Sequence, residues 1–285
     1  MKLFAPIIIL LLTQSSLFAQ VVVDSNKVDL RLNISPGEMY AYSTSTKQQL
    51  TQEIMGRSLE MNHEFSADYK YTVESHDDES IKIKTTYERI QLAVDFPEEQ
   101  IVYDSQLEDS DARLTALNEL IDKPFYIFMD SNGKVVKVLG YEQLTKNLKV
   151  SKLISQFLTD STLMNSLNMD IYPGKPVSMG ESWDKATEIN VSNMKLQNNL
   201  IYTLEGTSED LVWLNVTGTV SGDNDNGNLE IELQGTQAGT IETDLITGMI
   251  SSGDITMEMN ATVKSLDFEI PMKMTSETKI SGRKL

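Results

Sequence analysis

The sequence predicts a mainly β protein: a curled antiparallel sheet, or half-barrel, of two strand-rich halves with helices covering its concave face. Three observations carry this. Residues 58–73, "SLEMNHEFSADYKYTV", alternate with period two, placing Leu59, Met61, His63, Phe65, Ala67, Tyr69, Tyr71 and Val73 on one face. At ~3.3 Å per residue this run spans roughly 50 Å, a length that suits a sheet wrapped around something rather than a flat one. The third observation is a faint repeat. "ISPGEMYAYST" from Ile34 and "VSMGESWDKAT" from Val177 share Ser, Gly, Glu and Thr and pair Tyr with Trp. The expected organisation is a leader over 1–19, a β-rich half over 20–140, a helical connector and loop over 141–176, and a second β-rich half over 177–285.

The elements follow in order. A polar strand over about 39–54 turns through "MGRS" into the long strand. A third strand, 80–96, has its apolar residues at odd positions through Tyr87 and at even positions from Ile90, which predicts a bulge near Glu88–Arg89. "DSDARLTALNELI" reads as a helix capped at Ser110 or Asp111, with Leu114, Leu117 and Leu120 along one side. "FYIFMDSNGKVVKVLG" reads as a hairpin bending at Ser131–Gly133. Residues 141–169 read as helix through Leu144, Leu148, Ile154, Phe157, Leu158, Leu163 and Leu167, and "YPGKPVSMGESW" as a loop. Strands return over about 183–191, 198–206, 210–221, 228–242, 248–263 and 269–281.

The first twenty residues have the order of a secretory signal: Lys2, an apolar run from Ile7 to Leu12, and a small polar stretch ending at Ala19. That run is far shorter than the ~20 residues a membrane span needs. Cleavage after Ala19 and export to the periplasm or beyond are the expectation, with no integral membrane segment. The chain has 0 Cys, which fits a bacterial envelope protein stabilised by core burial alone. Its formal net charge of −18 argues against nucleic-acid binding, which wants a basic stripe, and against electrostatic docking on anionic lipid.

Chemistry-bearing motifs are sparse. With two His and no Cys, a structural zinc site cannot be assembled, and no metal or cofactor is expected. His63 lies on the apolar face of its strand as a core or pocket residue, and His76, in "VESHDDES", reads as part of a solvated turn. "SGDNDNGNLEIE" has oxygen residues in a calcium-loop-like order, but Asn226 stands where that loop needs Gly, so a hairpin turn is the better reading. No G-x-S-x-G occurs, and no carboxylate pair stands out. Fourteen Met are present, and Met257, Met259, Met272 and Met274 share faces with branched aliphatics. Met adapts to varied apolar partners, though core filling is the commoner use.

The order of these elements, with Pro176, Val177, Gly180, Glu181 and Trp183 at the second strand entry, resembles the secreted, bacteroidete-type family catalogued as domain of unknown function 6263. That resemblance implies strand and turn positions and no catalytic residues. The layout is also similar to the half-barrel lipoprotein carriers of the periplasm, as an analogy of fold. The expected function is non-enzymatic binding of an apolar small molecule or lipid, with Met61, His63, Phe65, Tyr69, Met257, Met259, Met272 and Met274 as ligand-binding residues. A scaffold for another envelope protein and a hydrolase with an unrecognised carboxylate site are the alternatives.

Overall fold

The computed structural model describes residues 27–54, 56–77, 80–95, 99–146, 148, 163–164, 166–191, 194–225, 230–265 and 268–285. Fourteen strands are described. They are β1 (Lys27–Val28), β2 (Met39–Ile54), β3 (Arg57–His76), β4 (Ile81–Asp95), β5 (Gln100–Asp104), β6 (Phe125–Met129) and β7 (Val135–Leu139). After them come β8 (Val177–Ser178), β9 (Ser182–Val191), β10 (Met194–Thr207), β11 (Leu211–Asp225), β12 (Glu230–Asp244), β13 (Ile250–Ser265) and β14 (Phe268–Lys284). One antiparallel sheet runs in the order β7-β6-β4-β3-β2-β14-β13-β12-β11-β10-β9, with β5 beside β4. Among the described residues its edges, β7 and β9, do not pair with each other, so the sheet stays open.

The order contains one pattern twice. The run β7-β6-β4-β3-β2 is followed, across β14, by β13-β12-β11-β10-β9, each read backwards along the chain. The entry turns match bond for bond. Gly37 and Gly180 sit at φ +91° and +77°, where only Gly is unstrained. Ser35 N–H donates to the Glu38 carboxylate and Ser178 N–H to that of Glu181, each at 3.0 Å. Gly37 N–H donates to Val73 and Gly180 N–H to Leu204, each at 2.8 Å. The far hairpins correspond too: the Asp130 carboxylate accepts from Asn132 and Lys134 N–H, and that of Asp244 from Ile246 and Thr247 N–H.

Two extended straps curl the sheet. Leu32 N–H donates to Ser131 in the β6–β7 turn at 2.9 Å, and Asn33 N–H to Thr247 in the β12–β13 turn at 2.8 Å. Between β6 and β13 lie five strand spacings, about 24 Å in a flat sheet. Neighbouring amides reach acceptors no more than about 10 Å apart. The sheet must therefore bend until the two turns meet. The second strap reciprocates: Met169 N–H donates to Gly133 at 2.9 Å, and the Tyr172 hydroxyl donates to the Gly248 carbonyl. Leu30, Leu32 and Ile34 from one strap, and Met169, Ile171, Tyr172 and Val177 from the other, are buried in one core with Tyr42, Tyr71, Ile83, Phe125, Ile127, Leu204 and Leu214. The Trp183 indole donates to the Ile171 carbonyl at 2.7 Å and stacks on Tyr202.

The expected helical cover is not what closes this end. The first helix is a 3-10 segment, Thr115–Leu120, whose leucines pack with Ile90 and Tyr103 in a separate cluster beside β4 and β5. Beside it Asp104 accepts from Arg89 and Gln91, and the guanidinium holds its carboxyl down to about 2. The second is α1 (Tyr141–Thr145), one turn beginning just after Gly140. Leu163 and Leu167 join the core, while Ile154, Phe157 and Leu158 lie outside the described residues. The bulge is where the sequence put it: Asp68 pairs Arg89 and Tyr69 pairs Tyr87, leaving Glu88 unmatched. His76 is exposed at the end of β3, but it is not merely solvated, since its Nδ1 donates to the Ile34 carbonyl at 2.8 Å.

Two substitutions test this end. Trp183→Ala should cost about 3–5 kcal/mol in urea unfolding, the range for a buried aromatic. Gly248→Ala should cost distinctly more than Gly56→Ala. Both positions have positive φ, +71° and +76°, worth ~1 kcal/mol or more of strain. Only at Gly248 would the new methyl strike the strap, at the Arg31 carbonyl and at Leu32 Cα 3.2 Å away, whereas at Gly56 nothing lies within 4 Å. Equal losses would mean that the strap does not hold the turn.

Candidate functional site

Strand register assembles the inner face row by row. Nearest the strapped end, Tyr69 lies opposite Tyr42, and the next rows outward contain Ala67 and then Phe65. One row further, His63 faces Gln48, Gln48 faces Ser276, and Ser276 faces Met257. The next is apolar throughout these strands: Met61, Leu50, Met274 and Met259. Leu59, Gln52, Met272 and Ala261 follow, with Gln52 Nε2 3.8 Å from the Met272 sulfur. The register thus brings together seven of the eight residues expected from sequence. All are half-buried except Phe65, which is 45% exposed.

Tyr69 is the exception. It is 6% exposed, stacked on Tyr42 with ring centroids 5.7 Å apart and tilted against Tyr71 at 5.2 Å. Burial pushes the hydroxyls of Tyr42, Tyr69, Tyr71 and Tyr87 well above the usual phenol range, so they stay neutral. Tyr69 belongs to the aromatic core and is not placed to orient a ligand's polar head. His63 remains: its Nε2 is buried and has no hydrogen-bond partner among the described residues.

The opposite wall was missed at sequence level. Gly218 and Gly222 on β11, and Gly235 and Gly239 on β12, are four residues apart and so share the inner face. They pair in a chequerboard with larger residues: Gly222 faces Leu233, Val220 faces Gly235, and Val216 faces Gly239. Aliphatic side chains from the next strands lie over the bare backbone. A Cβ at Gly222 would stand 2.6 Å from Leu196 Cδ2, one at Gly218 2.8 Å from Leu200 Cδ2, and one at Gly235 2.6 Å from Met259 Cγ. The wall is bare peptide beneath aliphatic side chains. The signal was the four-residue glycine spacing inside alternating strands.

From the Phe65 row to the hairpin at Gly56 the inner face runs about eight residues, roughly 26 Å. Over this stretch Leu50, Leu59, Leu196, Leu233 and the methionines are half-buried, whereas the strapped half is fully packed. A depression of about 500 Å³ is lined across β2, β3, β13 and β14 at Lys47–Gln49, Asn62–Glu64, Thr256–Glu258 and Thr275–Glu277. The middle residue of each triplet, Gln48, His63, Met257 and Ser276, belongs to one row of the inner face, and of the expected ligand residues only His63 and Met257 contribute. Among the described residues no group of three or more acidic, His or Cys side chains is placed to hold a metal, and no helix is long and apolar enough to cross a membrane.

Comparison with known structures finds a likeness of fold. A structure titled "Lipid-protein interactions in lipovitellin" superposes with a TM-score of 0.53 at 11% identity, over 88% of this chain and 25% of that one. The chain thus spans a quarter of the lipovitellin chain it matches. OccK2 (OpdF) of Pseudomonas aeruginosa (TM-score 0.21, 5% identity, 86% and 98% covered) and an outer membrane channel of Pseudomonas putida F1 (0.22, 6%, 88% and 97%) also align. Scores that low do not indicate a shared fold. No curated protein matches the chain. Residues 78–250 match the model of one family along most of the described sheet, and the chain belongs to that family, described as "Family of unknown function (DUF6263)".

Proposed function

We propose that this protein is an exported, non-enzymatic binder of a lipophilic or amphipathic molecule, which lies along the open half of the inner face. The observation that carries the reading is the contrast between the two ends of one sheet. The strapped end is a filled core, while the other presents Leu and Met that no described element covers. A soluble protein leaves a continuous apolar face half-exposed when something else covers it. The fold likeness to lipovitellin, whose printed title concerns lipid–protein interactions, supports the same reading. Export rests on the leader-like residues 1–19.

Each buried methylene contributes ~0.8 kcal/mol, so ten give roughly 8 kcal/mol gross, before the cost of ordering the ligand. The 26 Å trough exceeds half of a bilayer's ~30 Å hydrocarbon core, so an acyl chain can lie along it. Met257, Met259 and Met274 can re-pack around chains of different shape. Replacing both Met257 and Met259 by Trp should abolish uptake of a fluorescent fatty acid and leave the circular dichroism spectrum unchanged. Unchanged uptake, or none by the wild type with any lipid tried, removes the reading.

A second reading has its own observation. Among the described residues β9 is paired on one side only, by β10. Its free edge could add a strand from another envelope protein. Stoichiometric co-purification of one protein, with no lipid retained, would favour that scaffold role.

A further inference from the structure

The chain is strongly acidic, yet one part of its outer face is basic and aromatic. On β4, Lys84 lies opposite Tyr126 of β6, and Tyr126 opposite Leu139 of β7. One row along, Lys82 lies opposite Phe128, and Phe128 opposite Lys137. The ammonium groups sit over the rings: Lys82 Nζ is 4.4 Å from the centre of Tyr126, and Lys137 Nζ 5.6 Å from that of Phe128. Further in, Lys70 and Arg283 flank Ala41. Among the described residues, Glu74 is an acid within this patch, 2.6 Å from Lys82. Exposed apolar side chains are interspersed, with Leu139 at 42% and Met39 at 37%.

The fold does not demand these lysines. The second run of strands repeats the architecture, and its outer face is acidic. There Trp213 donates to Glu242, and Asp184, Glu205 and Asp254 are exposed. The halves share turns and strand order and differ in outer charge. Lysines beside Tyr and Phe on a flat sheet face have the chemistry of a membrane interface. The rings sit at headgroup depth, and the ammonium groups stay in contact with lipid phosphate. Charges further off than a Debye length, ~8 Å at physiological salt, are screened, so the overall acidity does not cancel a local patch.

We propose that the outer face over β4, β6 and β7 docks on an anionic phospholipid surface. The docking is independent of whether the inner trough carries a ligand, and it is tested separately. The mature protein would be sedimented with vesicles of phosphatidylcholine alone and with vesicles that also contain phosphatidylglycerol. It should bind the second kind, and less as salt is raised. Each lysine near such a surface is worth about fivefold in partitioning, so the double variant Lys84→Glu, Lys137→Glu should lose at least about 25-fold. Tyr126→Ser with Leu139→Ser should weaken binding as well. Lys195→Glu with Lys264→Glu makes the same change in net charge on the other half and should bind like the wild type. Thermal melting of each variant establishes that it is folded. Absence of binding to phosphatidylglycerol vesicles, or equal binding by the Lys84/Lys137 variant, would overturn the proposal. So would retention on polyglutamate without vesicle binding, which would assign the patch to an acidic protein partner.

Discussion

Two neighbouring amides, Leu32 and Asn33, donate to carbonyls in turns that belong to well-separated strands, and the curl of the whole sheet depends on that pair of bonds. Backbone hydrogen bonds contribute only about 1 kcal/mol each net, so they do not hold the curl by strength. They specify it. The stabilisation comes from the apolar side chains that the straps carry inward. Leu32, Ile34, Tyr172 and Val177 are each at most 2% exposed, and burying a large aliphatic side chain is worth ~1.5–3 kcal/mol. The arrangement is reciprocal, since each strap docks on the hairpin turn of the other run of strands as well as its own.

The consequence is a sheet with two different ends. Strands of 14 to 20 residues in β2, β3 and β10 to β14 are much longer than the straps can cover. Where the straps end, the inner face continues as Phe65, then the His63–Gln48–Ser276 row, then Met61, Met259 and Met274. Polar groups therefore stand between a filled aromatic core and an apolar stretch. An amphiphile whose polar group reaches that row and whose chain lies towards the hairpins would satisfy both. The glycine chequerboard of β11 and β12 keeps the opposite wall low.

Much of this was legible in the sequence because period-two alternation is a local property. Residues 58–73, the switch of face at Glu88, and the two Gly-Glu turns could be read from a few neighbours at a time. The cover could not. Leu114, Leu117 and Leu120 are three residues apart, which fits the 3.0-residue turn of a 3-10 helix as well as an α-helical stripe, so the spacing alone does not decide which helix forms. The strap Leu30-Arg31-Leu32-Asn33-Ile34 alternates like a strand, but its meaning depends on turns about 100 and 215 residues away, and no local pattern reveals that. Tyr69 was grouped with the ligand residues because it shares their parity. Its distance along the strand from the straps, which decides between core and trough, is a tertiary fact.

The central claim is that the open half of the inner face is a binding surface and not an unfinished core. Native mass spectrometry of the protein purified from its own cells tests this most directly. The chain should appear together with a species of added mass that matches a lipid and is lost on delipidation. A single species at the bare mass of the chain, from material never exposed to detergent, would contradict it.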